Sequence, residues 1–207
     1  MSTTSATTDD LLHALRIKGL SAPAVLAALS GIEQSAVADA TAPLVESGLV
    51  LLREGRMGGY LLTAEGRTRA DAVVAERSAA EKDALAPHYD DFLQLNGDFK
   101  RICQSWQMRD AQTPNDHTDT DYDGQVIAAL ATLHGKAVAH LVRLSSDVAR
   151  YERYVPRLTE ALGRVQGGDN ASFARPMYDS YHDIWMELHQ DLILALGRER
   201  SAADEGH

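Results

Sequence analysis

Leu44-Val45-Glu46-Ser47-Gly48-Leu49-Val50-Leu51-Leu52-Arg53, then Glu54-Gly55-Arg56-Met57-Gly58-Gly59, then Tyr60-Leu61-Leu62-Thr63-Ala64-Glu65-Gly66-Arg67, is the stretch that decides the fold of the first part of this chain. Gly48 reads as the C-cap of a helix, because glycine adopts the left-handed conformation at no steric cost. Leu49–Arg53 and Tyr60–Thr63 read as two short strands around a glycine-rich turn. Thr63, followed by Ala64, Glu65 and Gly66, reads as the N-cap of a long helix with Ala70, Val73 and Val74 inward.

Three helices precede this hairpin. Asp9 and Asp10 read as an N-cap and acidic first turn before Leu11, Leu12, Leu15 and Ile17, and Gly19 ends that helix. Ser21 reads as the cap of a second helix, with Pro23 in its first turn and Gly31 closing it. A third is expected from about Glu33 to Ser47, with Val37, Ala40, Leu44 and Val45 inward and a kink at Pro43. Helix, helix, helix, hairpin, helix is the order of a winged helix-turn-helix.

Beyond about residue 85 no strand pattern recurs. Amphipathic segments at about 87–108, 121–147, 151–166 and 176–197, broken near Gln112–Asp116 and Gln166–Asn170, predict an antiparallel helical bundle. The expected fold is therefore mainly α: a disordered tail at 1–8, a winged helix-turn-helix with a two-stranded wing at 9–84, a helical bundle at 85–198 and a disordered tail at 199–207.

The 207 residues are 44% hydrophobic, enough for packed cores. No uninterrupted 18-residue apolar run exists, and the N-terminus lacks the basic and apolar regions of a secretory signal, so the expected location is cytoplasmic, away from membranes. The one cysteine, Cys103, excludes a disulfide framework within the chain and multi-thiol zinc sites. It reads as a small core residue.

Net charge is −10, with −3 on residues 1–87 and −7 on the remainder. Affinity for nucleic acid rests largely on Lys and Arg at phosphates, so this balance argues against DNA for the chain as a whole.

The residues from Leu44 to Val50 and from Tyr60 to Arg67 resemble the signature of MarR-like and PadR-like winged-helix regulators, over residues 9–77. That resemblance implies a dimeric transcription regulator whose third helix enters the major groove and whose wing reaches the minor groove. On this chain the implied DNA-binding residues are Gln34, Ser35, Thr41, Arg53 and Arg56. The third helix also carries Asp39 and Glu46 and no Lys or Arg. Arg67, Arg69, Arg16 and Lys18 complete a modest basic rim.

Ile102–Gln107, Asn115–Asp119 and Asp179–His189 resemble a helical module of actinobacterial proteins related to phosphoenolpyruvate-utilising enzymes of the pyruvate phosphate dikinase type. The Thr-Ser-His phosphohistidine run of those enzymes is absent. The resemblance implies an accessory or regulatory piece, with such an enzyme as partner.

His182, Trp185, Met186 and His189 fall at i, i+3, i+4 and i+7, one helical face suited to a ligand. Trp106, Gln107, Arg109 and His117 are expected to meet Tyr181 and His182 in one pocket. His182 and His189 lie about 10 Å apart along the axis, too far to share a single ion. Asn115–Asp123 is rich in carboxylates but lacks the glycine and terminal glutamate of a calcium loop; Thr118 or Asp119 reads as a helix cap there. No metal site, cofactor, P-loop or catalytic triad is expected, and no enzyme activity. Two readings remain open: a DNA-binding homodimer that senses a small molecule, and a non-catalytic subunit whose winged helix contacts protein.

Overall fold

The computed structural model describes residues 2–55 and 58–198, with side chains from residue 7 onward. It is mainly helical, with one small two-stranded antiparallel sheet. The elements are α1 (Ser2–Lys18), α2 (Pro23–Ser30), a 3-10 turn (Gln34–Ala36), α3 (Val37–Glu46), β1 (Val50–Arg53), β2 (Gly59–Leu62), α4 (Ala64–Gln107) and α5 (Thr120–Asp147). A second 3-10 turn (Ala149–Arg153) leads to α6 (Tyr154–Gln166), α7 (Ala171–Ala174) and α8 (Tyr181–Ala195). The chain divides into two compact units, one reaching to Lys82 and including His189–Arg198, the other Asp83–Leu188.

In the first unit β1 pairs with β2 in the register Val50↔Leu62 to Arg53↔Gly59. The exit from the hairpin is fixed by Thr63, whose Oγ1 accepts the Gly66 N–H at 2.9 Å and donates to the Gly48 carbonyl at 2.8 Å. This is the expected cap. Gly66 is required by close approach, since a Cβ there would lie 1.8 Å from the Leu49 carbonyl oxygen. Gly59 is required in the same way, 2.5 Å from the Ser21 carbonyl oxygen. Leu11, Leu12 and Leu15 of α1, Leu26 of α2, Leu44 of α3, Val50, Tyr60, Ala70 and Leu192 form the core of this unit.

Several expectations need correction here. Helix α1 begins at Ser2, so residues 2–8, expected as a tail, are helical, and Asp9 and Asp10 stand inside the helix. Those carboxylates instead pair with Arg69 (3.1 Å) and Arg77 (2.8 Å) of α4. Ser21 does not cap α2; its N–H and carbonyl pair with those of Tyr60, both at 2.9 Å, as an isolated β-bridge. The third helix starts in a 3-10 turn, and Val45, expected inward, is 37% exposed. The tail expected at 199–207 lies outside the described residues.

The helix expected to open at Thr63 and the segment expected at about 87–108 are one, because α4 runs unbroken through Pro87. An internal proline costs about 3 kcal/mol. Leu85, Tyr89 and Phe92, all buried at i, i+4 and i+7, supply apolar packing on both sides that offsets it. The segment expected to end the second domain returns instead to the first unit, where His13 Nε2 meets Asp191 Oδ1 at 2.9 Å with both side chains buried.

In the second unit, Val126, Leu130, Leu133, Ala137, Leu141 and Leu144 form the buried stripe of α5. By length and mean hydropathy α5 is apolar enough to cross a bilayer, which a search for unbroken apolar runs passes over because His134, Lys136 and His140 interrupt it. Tyr154, Leu158, Ala161, Leu162 and Val165 form the matching stripe of α6. Arg157 of α6 is buried and bonds Glu187 of α8.

Candidate functional site

Asn96, Phe99, Lys100, Cys103, Gln104 and Gln107 recur at i, i+3, i+4, i+7, i+8 and i+11 along α4, a single helical stripe. With Met108, and with His182 and Met186 one turn apart on α8, they line a cavity of about 240 Å³ within the second unit. Asn96 and Phe99 are buried at its floor, while Gln104 and Gln107 are exposed at its mouth. The floor is fixed from behind: Trp185 Nε1 donates to Asn96 Oδ1 at 3.0 Å, and the Phe99 ring lies 4.6 Å from that indole.

Because the indole occupies the Asn96 oxygen, the Asn96 amide nitrogen is the group left to face the cavity. It donates to no described residue although Asn96 is only 4% exposed. The His182 ring packs against Phe99 at 5.9 Å. Burial holds its pKa below the ordinary histidine value against the opposing pull of Asp183, which favours a neutral imidazole with one donor and one acceptor. Burial pushes the Cys103 thiol up to about 12, so it stays protonated and is a poor nucleophile at neutral pH. The lining offers hydrogen bonds and an apolar wall, which suits binding.

A second constellation stands at the end of α4. Trp106 is buried with its ring parallel to Phe173 at 4.2 Å and against His117 at 4.3 Å. Asn115 Nδ2 spends its two protons on the Trp106 carbonyl (3.1 Å) and Asp123 Oδ1 (2.7 Å). The neighbouring 3.0 Å contact between His117 Nδ1 and Asp123 Oδ2 therefore assigns the proton to Nδ1. Asp119 caps α5 by accepting the Tyr122 N–H at 3.0 Å, and Arg109 pairs with Asp119 over the Tyr122 ring. The hydrogen bonds of Asp119 lower its pKa, the Tyr122 N–H first and Arg109 second.

The single expected pocket is thus divided. Gln107 and His182 share the cavity; Trp106, His117 and Arg109 belong to the loop constellation. Tyr181 is buried, with its hydroxyl 3.3 Å from His134 Nδ1, and burial raises its pKa. Trp185 is a core residue that acts through Asn96, and His189 is fully buried in the first unit, so neither faces the cavity. Asn96, Cys103 and Gln104 were not foreseen, although the stripe that joins them to Gln107 is present in the sequence.

On the first unit, Gln34 and Ser35 are exposed in the 3-10 turn and Arg53 is exposed at the end of β1. Thr41 is not available to DNA: it is 1% exposed and its hydroxyl donates to the Val37 carbonyl at 2.8 Å. Arg56 lies outside the described residues. The basic rim is partly spent, with Arg16 on Asp71 at 2.5 Å and Arg69 on Asp9.

No protein-family model, curated protein or solved structure matches this chain.

Proposed function

We propose that this chain is a non-catalytic regulatory subunit: the first unit is a winged helix-turn-helix that contacts protein, and the second a helical bundle that binds a small molecule. The observation that carries this reading is the solvent-facing side of the segment from Gln34 to Glu46 with β1. It presents Asp39 and Glu46, its one basic residue is Arg53 at the end of β1, and beside the carboxylates Val45, Leu51 and Leu52 are 37%, 53% and 52% exposed. A phosphate backbone is repelled by the carboxylates and gains nothing from the leucines. A protein surface gains roughly 1 kcal/mol for each leucine whose exposed half it covers.

The partner that fits best is an enzyme of the phosphoenolpyruvate-utilising type, on the resemblance carried by Ile102–Gln107, Asn115–Asp119 and Asp179–His189. A cytoplasmic setting suits such a partner. A second reading, the DNA-binding homodimer, draws support from Arg53 and Arg67, both exposed and without an ion-pair partner among the described residues.

The two are separated by measuring binding to promoter DNA from its own locus at about 50 mM salt, and co-elution with the phosphoenolpyruvate-utilising enzyme of the same organism. The subunit reading expects no DNA binding at low salt, and co-elution that the double substitution Leu51→Lys, Leu52→Lys abolishes with helical content unchanged. Specific, steeply salt-dependent DNA binding that Arg53→Ala weakens would replace it with the regulator.

A further inference from the structure

We propose that the α4–α8 cavity binds a small monocarboxylic acid with an apolar body, its carboxylate received at the floor by the Asn96 amide and the His182 ring N–H. This does not depend on what the first unit contacts.

Size sets the first limit. A cavity of about 240 Å³ falls below the range of about 300–1,000 Å³ typical of drug-sized ligands, so its occupant has around ten non-hydrogen atoms. Charge sets the second. Lys100 is the single formally charged residue in the lining, and no Asp or Glu contributes to it, so an ammonium ligand would meet no counter-charge. Among the lining residues the most buried polar side chain is that of Asn96, and its amide nitrogen, a donor, has no hydrogen-bond partner among the described residues. A ligand oxygen gives this donor an acceptor in a largely buried setting, and a carboxylate makes the stronger, charge-assisted bond.

The indole behind Asn96 gives that donor its direction. Trp185 is fully buried and its N–H has one use, the Asn96 oxygen, so the amide is held from flipping its oxygen into the cavity. His182 stands one turn before Met186 on α8 and its ring has no hydrogen-bond partner among the described residues. Phe99, Met108 and Met186 form the apolar wall, whose thioethers adapt to either a ring or a short chain.

The test uses the full chain, titrated calorimetrically with benzoate and hexanoate, with benzamide as the uncharged counterpart and benzylamine as the cation. The carboxylates are expected to bind at least about tenfold more tightly than benzamide, and benzylamine not at all. Asn96→Asp keeps an acceptor for Trp185 and places a negative charge where the donor stood, so it should abolish carboxylate binding. Gln104→Glu, at the exposed mouth, should weaken it several-fold without moving the melting temperature, and keeps the test valid where Asn96→Asp fails to fold. Benzamide binding as well as benzoate, benzylamine binding better, or no probe binding up to about 10 mM would each overturn the proposal. No DNA or partner protein is present in this experiment, so its failure is distinct from failure of the subunit reading.

Discussion

Arg157 Nη1 donates to Glu187 Oε2 at 2.6 Å, with both side chains about 95% withdrawn from solvent. Asp179 bonds the same guanidinium. Removing one partner from such a pair strands the other as an uncompensated buried charge, at a cost of about 3–5 kcal/mol. Glu187→Leu is expected to lower unfolding free energy by that amount in urea titration. The double change Arg157→Met, Glu187→Leu should recover most of the loss, because it removes both charges and keeps the volume. A double variant as unstable as the single would show that the pair contributes more than its desolvation costs.

Gly66→Ala sets a Cβ against the Leu49 carbonyl at a distance no structure tolerates. Either α4 or β1 must shift, and a loss of about 3 kcal/mol or more is expected. Gly135, exposed in the middle of α5, has open space where its Cβ would be. Gly135→Ala should therefore stabilise, by about 0.5–1 kcal/mol, through helix propensity alone. Opposite signs for the two substitutions in one denaturation series are the outcome to look for.

Thr63→Ala removes the side chain that accepts the Gly66 N–H and donates to Gly48, and a loss of about 0.5–2 kcal/mol is expected. Thr63→Ser keeps the oxygen and should cost markedly less. Equal losses from both would place the contribution in the methyl group rather than in the cap.

His140 is 2% exposed, and neither ring nitrogen has a hydrogen-bond partner among the described residues. Burial holds its pKa below 6.5, His88 and Arg143 push the same way, and Asp91 opposes them. The folded ring stays neutral while the unfolded chain takes up a proton, so stability present above pH 6.5 is lost as the pH falls below it. His140→Leu should raise the melting temperature at about pH 5.5 and narrow its advantage at higher pH. Part of the acid sensitivity should survive in that variant, because burial depresses His134 and His182 in the same direction. A pH profile parallel to that of the parent protein would remove His140 from the account.

The hairpin and its exit could be read from the sequence because each is settled locally: Gly48, the paired leucines and Thr63 act on neighbours a few residues away. Ser21 looked like a cap for the same local reason, and its real partner, Tyr60, is 39 residues distant. Thr41 reads as polar, and therefore outward, until its hydroxyl is seen to close on the Val37 carbonyl within the helix. Proline inside a helix costs a backbone hydrogen bond, and only the tertiary burial of Leu85 and Phe92 shows why α4 continues through Pro87. Gln107 and His182 were visible as cavity residues through their polarity. Asn96 and Cys103 were not, since nothing in one helix's pattern tells which stripe will face a gap instead of a packed neighbour.

The bond from Trp185 to Asn96 gives this protein an optical reporter of its own. The chain has two tryptophans, and Trp106 is stacked on Phe173 away from the cavity lining. With Trp106→Phe, emission comes from one indole whose N–H ends on the very amide that faces the cavity. Occupancy can then be followed by intrinsic fluorescence, without a label and whatever the chemical nature of the occupant.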